Sequence, residues 1–341
     1  MSIKKPATLK EIAAHAGVGT AAASVVLNGA KSGTRVSEVK REVILRVARE
    51  LNYRPNGLAR SLRMRRTGIV GYFSGYECID PRNEYIAAIM GGLQAGCASL
   101  GLDFLLYTPH VDLSPESVVA NLSNGRLDGL IVTARPEHPI SSLLAEAHLP
   151  VVAIADPLPN IPTVMADSCH GGRLQARHLA ERGHKKVLYA PADYPFLSVL
   201  DRYECFREEA NALGIEVIDG RPVHGYHPEI GRRESRLHPD DLALFERSDA
   251  PTAVLAWDDA PAYRIATQLA DAGLHVPENV AVVGYNGCIP ATEPRWRLST
   301  VRAPWHQVGQ TAIRTLHRLI EGEEIPFLTM LPVEMIAGGT S

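Results

Sequence analysis

Side chains able to do chemistry are scattered through this sequence of 341 residues. His224, His227, His238, Asp240 and Asp241 are the group that could suggest a metal site. Their spacing offers neither an i, i+4 helical pair nor another established ligand pattern, so no metal is expected. The cysteines, Cys78, Cys97, Cys169, Cys205 and Cys288, are odd in number and never arranged as C-x-x-C. That suggests neither a disulfide framework nor a thiolate zinc site. No nucleophile, base and orienting group stand in a recognisable arrangement, so catalysis has no support. Without G-x-G-x-x-G after a strand, and without a Walker A sequence, a dinucleotide or nucleotide cofactor is not expected either.

Charge, by contrast, is grouped. Residues 1–66 hold 14 Lys and Arg against 4 Asp and Glu, while the remainder holds 21 against 34. A head at +10 on a body at −13 is the footprint of a polyanion-binding module, because neutralising phosphates releases counterions and drives association. With 45% hydrophobic residues the chain can bury a substantial core, and its length allows two or three domains. The first 25 residues lack an apolar signal-peptide core, and no run approaches the roughly 18 apolar residues of a membrane span. A cytoplasmic protein with no membrane partner is expected.

The elements that must position the basic residues are helices. Thr8-Leu9-Lys10-Glu11 fits a capping box, in which the Thr8 hydroxyl accepts an amide three residues on and Glu11 reaches back. It predicts a helix over 9–16 with Leu9, Ile12, Ala13 and Ala16 on one face. Gly17-Val18-Gly19 then permits a sharp turn into a second helix over 20–28, stopped by Asn28-Gly29. Ser37 can cap a third, where Val39, Val43, Val47 and Leu51 recur every four residues. The turn between the first two helices is the geometry that projects a helix into a major groove.

Leu9-Lys10-Glu11-Ile12-Ala13, Ala16-Gly17-Val18, Ser24-Val25-Val26-Leu27-Asn28, Arg35-Val36-Ser37 and Leu51-Asn52-Tyr53-Arg54-Pro55-Asn56 together resemble the signature of the lac repressor family. The resemblance implies a head over 1–55 and a hinge helix over 56–66. It places Thr8, Gly19, Thr20, Ala21, Ser24, Val25 and Asn28 of the head, and Ala59, Leu62 and Arg63 of the hinge, against double-stranded DNA. Leu62 matches the leucine that the family inserts between bases of the central minor groove. The reading face departs from the family's usual larger polar residues. Gly19, Thr20, Ala21 and Val25 can make no bidentate base contact, so shape and hinge readout are expected to carry more of the specificity.

From Gly68 onward short apolar runs alternate with helical patterns: 68–73, 104–107, 130–132, 151–154, 187–189, 253–256 and 280–283. Continuous apolar strands separated by helices imply parallel sheets covered on both faces, here two doubly wound units over 67–341. The resemblance extends to this body. It implies a core like that of periplasmic sugar-binding proteins, with one subdomain over about 67–167 and 299–326 and the other over about 168–298 and 327–341.

Ligands of such sheets lie beyond the carboxyl ends of the strands. By resemblance Arg202 is the family's effector-binding arginine and Asp258 its strand-end acid; Tyr226 and Tyr85 match aromatic positions of the cleft. Trp257 and Trp305 join them, since aromatic faces stack on sugar or base rings. Many relatives carry Asp immediately after the fourth apolar run, where this chain has Ala155 followed by Asp156, so a hydrogen-bonding group is expected to be missing there.

The implied protein is a repressor, a homodimer on a pseudo-palindromic operator, controlled by a sugar, sugar derivative or nucleoside. Dimers are expected over tetramers because Ala337–Ser341 ends the chain without a leucine heptad tail. Two other classes stay open: a plain small-ligand-binding protein with an incidental head, and an enzyme on a sugar-binding scaffold.

Overall fold

The computed structural model describes residues 7–28, 34–54, 61, 66–75, 79, 82–108, 113–193, 196–223, 226–227, 232–233, 236–288 and 297–341, with backbone alone at 226–227 and 232–233. The chain divides into two compact units, Met1–Gly68 and Ile69–Ser341.

In the first unit, helices α1 (Leu9–His15), α2 (Thr20–Asn28) and α3 (Glu38–Glu50) enclose a small core in which Ile12, Ala23 and Ile44 are wholly buried. The capping box at Thr8 is complete: the hydroxyl accepts the Glu11 amide at 3.3 Å, and the Glu11 carboxylate accepts the Thr8 amide at 2.6 Å. Ser37 caps α3 in the same sense. Between α1 and α2 the backbone of Gly17 is left-handed, at φ +64°, a conformation that a Cβ would strain.

The second unit holds two sheets of six strands. Its elements are β1 (Ile69–Ser74), α4 (Glu84–Leu100), β2 (Asp103–Leu106), α5 (Pro115–Leu122), β3 (Gly129–Thr133), α6 (Pro139–Ala145), β4 (Val151–Ile154) and β5 (Thr163–Ala166). There follow α7 (Ser168–Glu181), β6 (Lys186–Ala190), α8 (Leu197–Ala212), β7 (Glu216–Asp219), the ribbon β8 (Tyr226–His227) with β9 (Arg232–Arg233), and the short α9 (Pro239–Leu242). The chain ends through β10 (Ala253–Ala256), α10 (Asp259–Asp271), β11 (Ala281–Asn286), β12 (Ser299–Arg302), α11 (Trp305–Ile320), β13 (Leu328–Leu331) and β14 (Glu334–Ile336).

The first sheet runs β13-β5-β4-β3-β1-β2 and is parallel throughout. The second runs β14-β12-β11-β10-β6-β7 and is parallel except for β14 at its edge. Central strands β3, β4, β10 and β11 are buried along their whole length, as unbroken apolar runs covered on both faces should be.

Two crossovers differ from expectation. Ser299–Arg302 pairs with β11 in the second sheet, and Leu328–Leu331 pairs with β5 in the first. The chain therefore changes subdomain near 303 and again near 332, each several residues later than the expected boundaries. Ser299, Thr300 and Val301 are all buried, and their hydroxyl-bearing run gives a weak strand signal although it lies deep in the sheet.

The last residues are pinned to the second sheet. The Val282 amide donates to the Thr340 carbonyl at 2.7 Å, the Thr340 hydroxyl donates back to Val282 O at 2.7 Å, and Ser341 Oγ lies 2.6 Å from Nε2 of buried His178. Burial, with Arg182 and His184 nearby, lowers the His178 pKa from 6.5 to about 4. Because the folded value is depressed, stability from keeping this ring neutral is full above pH 6.5 and is lost as pH falls from 6.5 through 4. His178→Gln is expected to flatten the fall of Tm over that window, measured by calorimetry; an unchanged slope would contradict it.

Candidate effector cleft and nucleic-acid interface

On the head, Gly19, Thr20 and Ala21 are exposed at the start of α2, and Ser24, Val25 and Asn28 are half-buried further along it. Thr20, Ser24 and Asn28 recur at i, i+4 and i+8 and so share one face, while buried Ala23 turns to the core about a quarter of a turn round the helix from Ser24. A groove of about 440 Å³ beside the Gly17–Gly19 turn carries Arg35 and Lys40, cations suited to backbone phosphates. Thr8 is exposed, with its hydroxyl engaged in the cap of α1. Ala59, Leu62 and Arg63 lie outside the described residues.

In the second unit the polar cluster forms where strand order reverses between β6 and β10, the position at which open parallel sheets bind ligands. Trp257 and Asp258 directly follow β10. Asp258 caps α10, its carboxylate accepting the Ala260 amide at 3.3 Å. Arg202 reaches the same place from α8, only 7% exposed. It donates to the Trp257 carbonyl at 2.6 Å and lays its guanidinium 3.6 Å from the centroid of the Tyr285 ring. Such stacking holds the planar fork in one orientation.

Burial raises the Asp258 pKa, opposed by the Ala260 amide, Arg202 and a hydrogen bond from Asn286. Neighbouring Asp259 is raised well above the usual carboxylate range, by burial and then by Asp258. Asp259 is occupied within the fold: it accepts the Thr300 hydroxyl at 2.6 Å and the Cys288 amide at 2.7 Å. Two adjacent acids thus divide their work, Asp259 tying β12 to α10 and Asp258 standing beside Arg202.

Residue type alone gives Asn286 no role, and the structure makes it central. It ends β11 at φ +108°, a conformation unusual for a residue with a side chain. Its side-chain Oδ1 accepts Trp305 Nε1 at 2.9 Å, and the side chain also bonds Asp258. Trp305 opens α11, which packs on the first sheet and on α4, and meets Tyr85 of α4 edge-to-face at 4.7 Å. Asn286 therefore links the polar group of one subdomain to the aromatic pair of the other. The sequence signal was an amide at the carboxyl end of an apolar strand. Tyr226 lies on β8, and its side chain is outside the description.

The acid that follows Ala155 is engaged within the fold. Ala155 turns at φ +72°, and Asp156, buried, accepts the Ser198 amide at 2.8 Å across the cleft. A first-subdomain carboxylate thus caps the amino end of α8, the helix carrying Arg202. Asp156→Ala is expected to speed exchange of the Ser198 amide about tenfold, the loss of one charge-assisted hydrogen bond, as read by hydrogen-exchange mass spectrometry. Unchanged exchange would contradict the cap.

The cysteine expectation is corrected outright: Cys169 of α7 and Cys205 of α8 form a disulfide. Their separation of 36 residues hid the pairing, which arises because α7 and α8 pack side by side.

Residues 8–56 match the family model described as bacterial regulatory proteins, lacI family, and 176–341 match the periplasmic binding protein-like domain. The HTH-type transcriptional repressor PurR of Proteus mirabilis is 28% identical over 317 residues, covering 91% of this chain and 89% of that protein. The HTH-type transcriptional regulator CelR of Thermobifida fusca is 28% identical over 348 residues, covering 98% and 97%. Among solved structures, a complex of the transcriptional regulator CelR with cellobiose aligns at TM-score 0.68 and 26% identity, covering 98% of this chain and 100% of that one. The lac repressor dimer bound to operator and the anti-inducer ONPF shares the fold at TM-score 0.80 and 23% identity, covering 98% and 99%. Among the described residues no helix is long and apolar enough to cross a membrane. The chain thus carries a lacI-family helix-turn-helix head and a periplasmic-binding-protein-like core, and along nearly its whole length it is similar to DNA-binding transcriptional repressors of this architecture.

Proposed function

We propose that this protein is a cytoplasmic transcriptional repressor whose affinity for its operator is set by a small polar effector, a sugar or sugar derivative, held between the two subdomains of the core. It acts by binding and not by turnover. Two copies place their heads on the halves of a pseudo-palindromic operator, with Thr20 and Ser24 facing bases and Leu62 wedging the central step. Gly19, Ala21, Val25 and Asn28 complete the contact face, with Ala59 and Arg63 flanking the wedge.

The observation that carries the effector reading is the convergence of Arg202, Asp258 and Asn286 at the strand ends, facing the aromatic pair Tyr85 and Trp305. A carboxylate and an amide accept hydroxyl hydrogens, the guanidinium donates to ring or hydroxyl oxygens, and aromatic faces cover the apolar face of a sugar ring. The cellobiose complex of CelR favours the sugar class. Trp257 and Tyr226 serve as further wall positions.

A thermal-shift screen of mono- and disaccharides, sugar acids and nucleosides tests this, because a ligand bound only by the folded core raises Tm. A saccharide or sugar acid is expected to raise it in a dose-dependent way. A response confined to nucleosides would overturn the sugar assignment.

A further inference from the structure

The half-exposed cysteines Cys169 and Cys205 join the two helices nearest the arginine of the cleft. Cys205 follows Arg202 by one turn of α8, so both project from the same side of that helix. Cys169 lies in the first turn of α7, and Gly172, three residues on, meets that same turn of α8. A Cβ on Gly172 would lie 2.2 Å from the Arg202 carbonyl, and one on Gly171 would lie 2.6 Å from the Tyr285 ring on which Arg202 stacks. The helices are thus in backbone contact where the sulfurs bond, with the Cα atoms of the pair 5.2 Å apart. The other described cysteines differ: Cys97 is buried, and the Cys288 thiol is pushed well up by burial and the acids Asp258 and Asp259.

We propose that Cys169 and Cys205 are a reversible thiol–disulfide pair that fixes or frees the turn of α8 presenting Arg202. The proposal rests on Arg202 being the effector arginine. Oxidation is by a low-molecular-weight disulfide, RSSR. Cys169, in the first turn of α7 at the positive end of the helix dipole, attacks as thiolate, forms a mixed disulfide and expels one RS⁻. The Cys205 thiolate then attacks the Cys169 sulfur and expels the second RS⁻. The two thiols of the protein are oxidised, RSSR is reduced to two RSH, and the two protons lost by the cysteines are taken up by the departing thiolates. Excess thiol reverses both steps. In the bonded form α8 cannot slide on α7, and Arg202 keeps its place against Trp257 and Tyr285. In the reduced form only packing holds that turn.

The test uses the full chain, reduced and then equilibrated in glutathione buffers of graded disulfide content, without effector. Mass spectrometry after alkylation is expected to find the 169–205 cross-link rising with glutathione disulfide and lost again in excess glutathione. Hydrogen exchange over 200–206 is expected to slow about tenfold in the cross-linked form, with the first subdomain and head unchanged. Cys169→Ser and Cys205→Ala should each abolish both responses, and agreement between them guards against a folding defect in either. Absence of the cross-link at every glutathione ratio overturns the proposal. So does a cross-link that leaves exchange over 200–206 unchanged, the result expected of a passive staple. Neither readout involves a ligand, so failure of the effector reading shows separately, as an unaltered ligand titration of Arg202→Ala.

Discussion

Arg202→Ala should weaken effector binding by about 100-fold or more while leaving operator binding by the ligand-free protein within about threefold. The guanidinium is the buried cation beside Asp258, so its removal takes away a charge-assisted donor to the ligand. It also leaves the Trp257 carbonyl without the donor now at 2.6 Å, and exposes the face of Tyr285 that it covers. The second unit should therefore lose about 1–3 kcal/mol of stability, a cost that calorimetry separates from the binding loss. Arg202→Lys sharpens the prediction. It keeps the charge and loses the planar fork, so a binding loss close to that of alanine is expected if stacking and bidentate donation matter. Isothermal titration with a ligand found in the thermal-shift screen checks both variants, and a wild-type titration curve for Arg202→Ala would remove it from the site.

Leu62→Ala is expected to reduce operator affinity by about 100-fold and affinity for random duplex by no more than about threefold at the same salt concentration. Wedging an apolar side chain between bases costs a few kcal/mol of unstacking, offset by the bent duplex and the contacts it allows, so an alanine forfeits the bend. Random DNA is held by phosphate neutralisation, to which Leu62 contributes nothing. The effect should be larger here than in a protein with a richly polar reading helix, since Gly19, Thr20, Ala21 and Val25 offer so little direct readout. Fluorescence anisotropy on an operator recovered by in vitro selection measures it, and equal losses on both duplexes would contradict the wedge.

The head was legible because its signals are local. The capping box at Thr8, the glycine turn and the Ser37 cap each involve residues within four positions of one another, and α1, α2 and α3 formed where those signals put them. Strands β4 and β10 were readable to the residue because four consecutive apolar side chains are buried on both faces. Strands β7 and β13 at the sheet edges, and β12 with its Ser and Thr, carry no such run, and the subdomain crossovers were misplaced with them.

The site was legible only in part, because its partners are far apart in the chain. Arg202 and Asp258 were identifiable singly, but the Asn286 link to Trp305 depends on how β11 and α11 pack. Asp156 reads as a displaced strand-end acid until α8 is brought across the cleft to meet it. Cys169 and Cys205 read as scattered thiols until α7 and α8 lie together.

In the proposed function one ligand in the core controls DNA binding by the head. Coupling of this kind is reciprocal: a ligand that changes operator affinity by some factor must see its own affinity changed by operator by the same factor. The decisive measurement is the full thermodynamic cycle at one salt concentration, ligand binding with and without operator and operator binding with and without ligand. Equal factors of at least about fivefold are expected on both arms for wild type, and a factor near one for Arg202→Ala. A ligand that binds the wild-type core with high affinity and leaves operator affinity unchanged would contradict it.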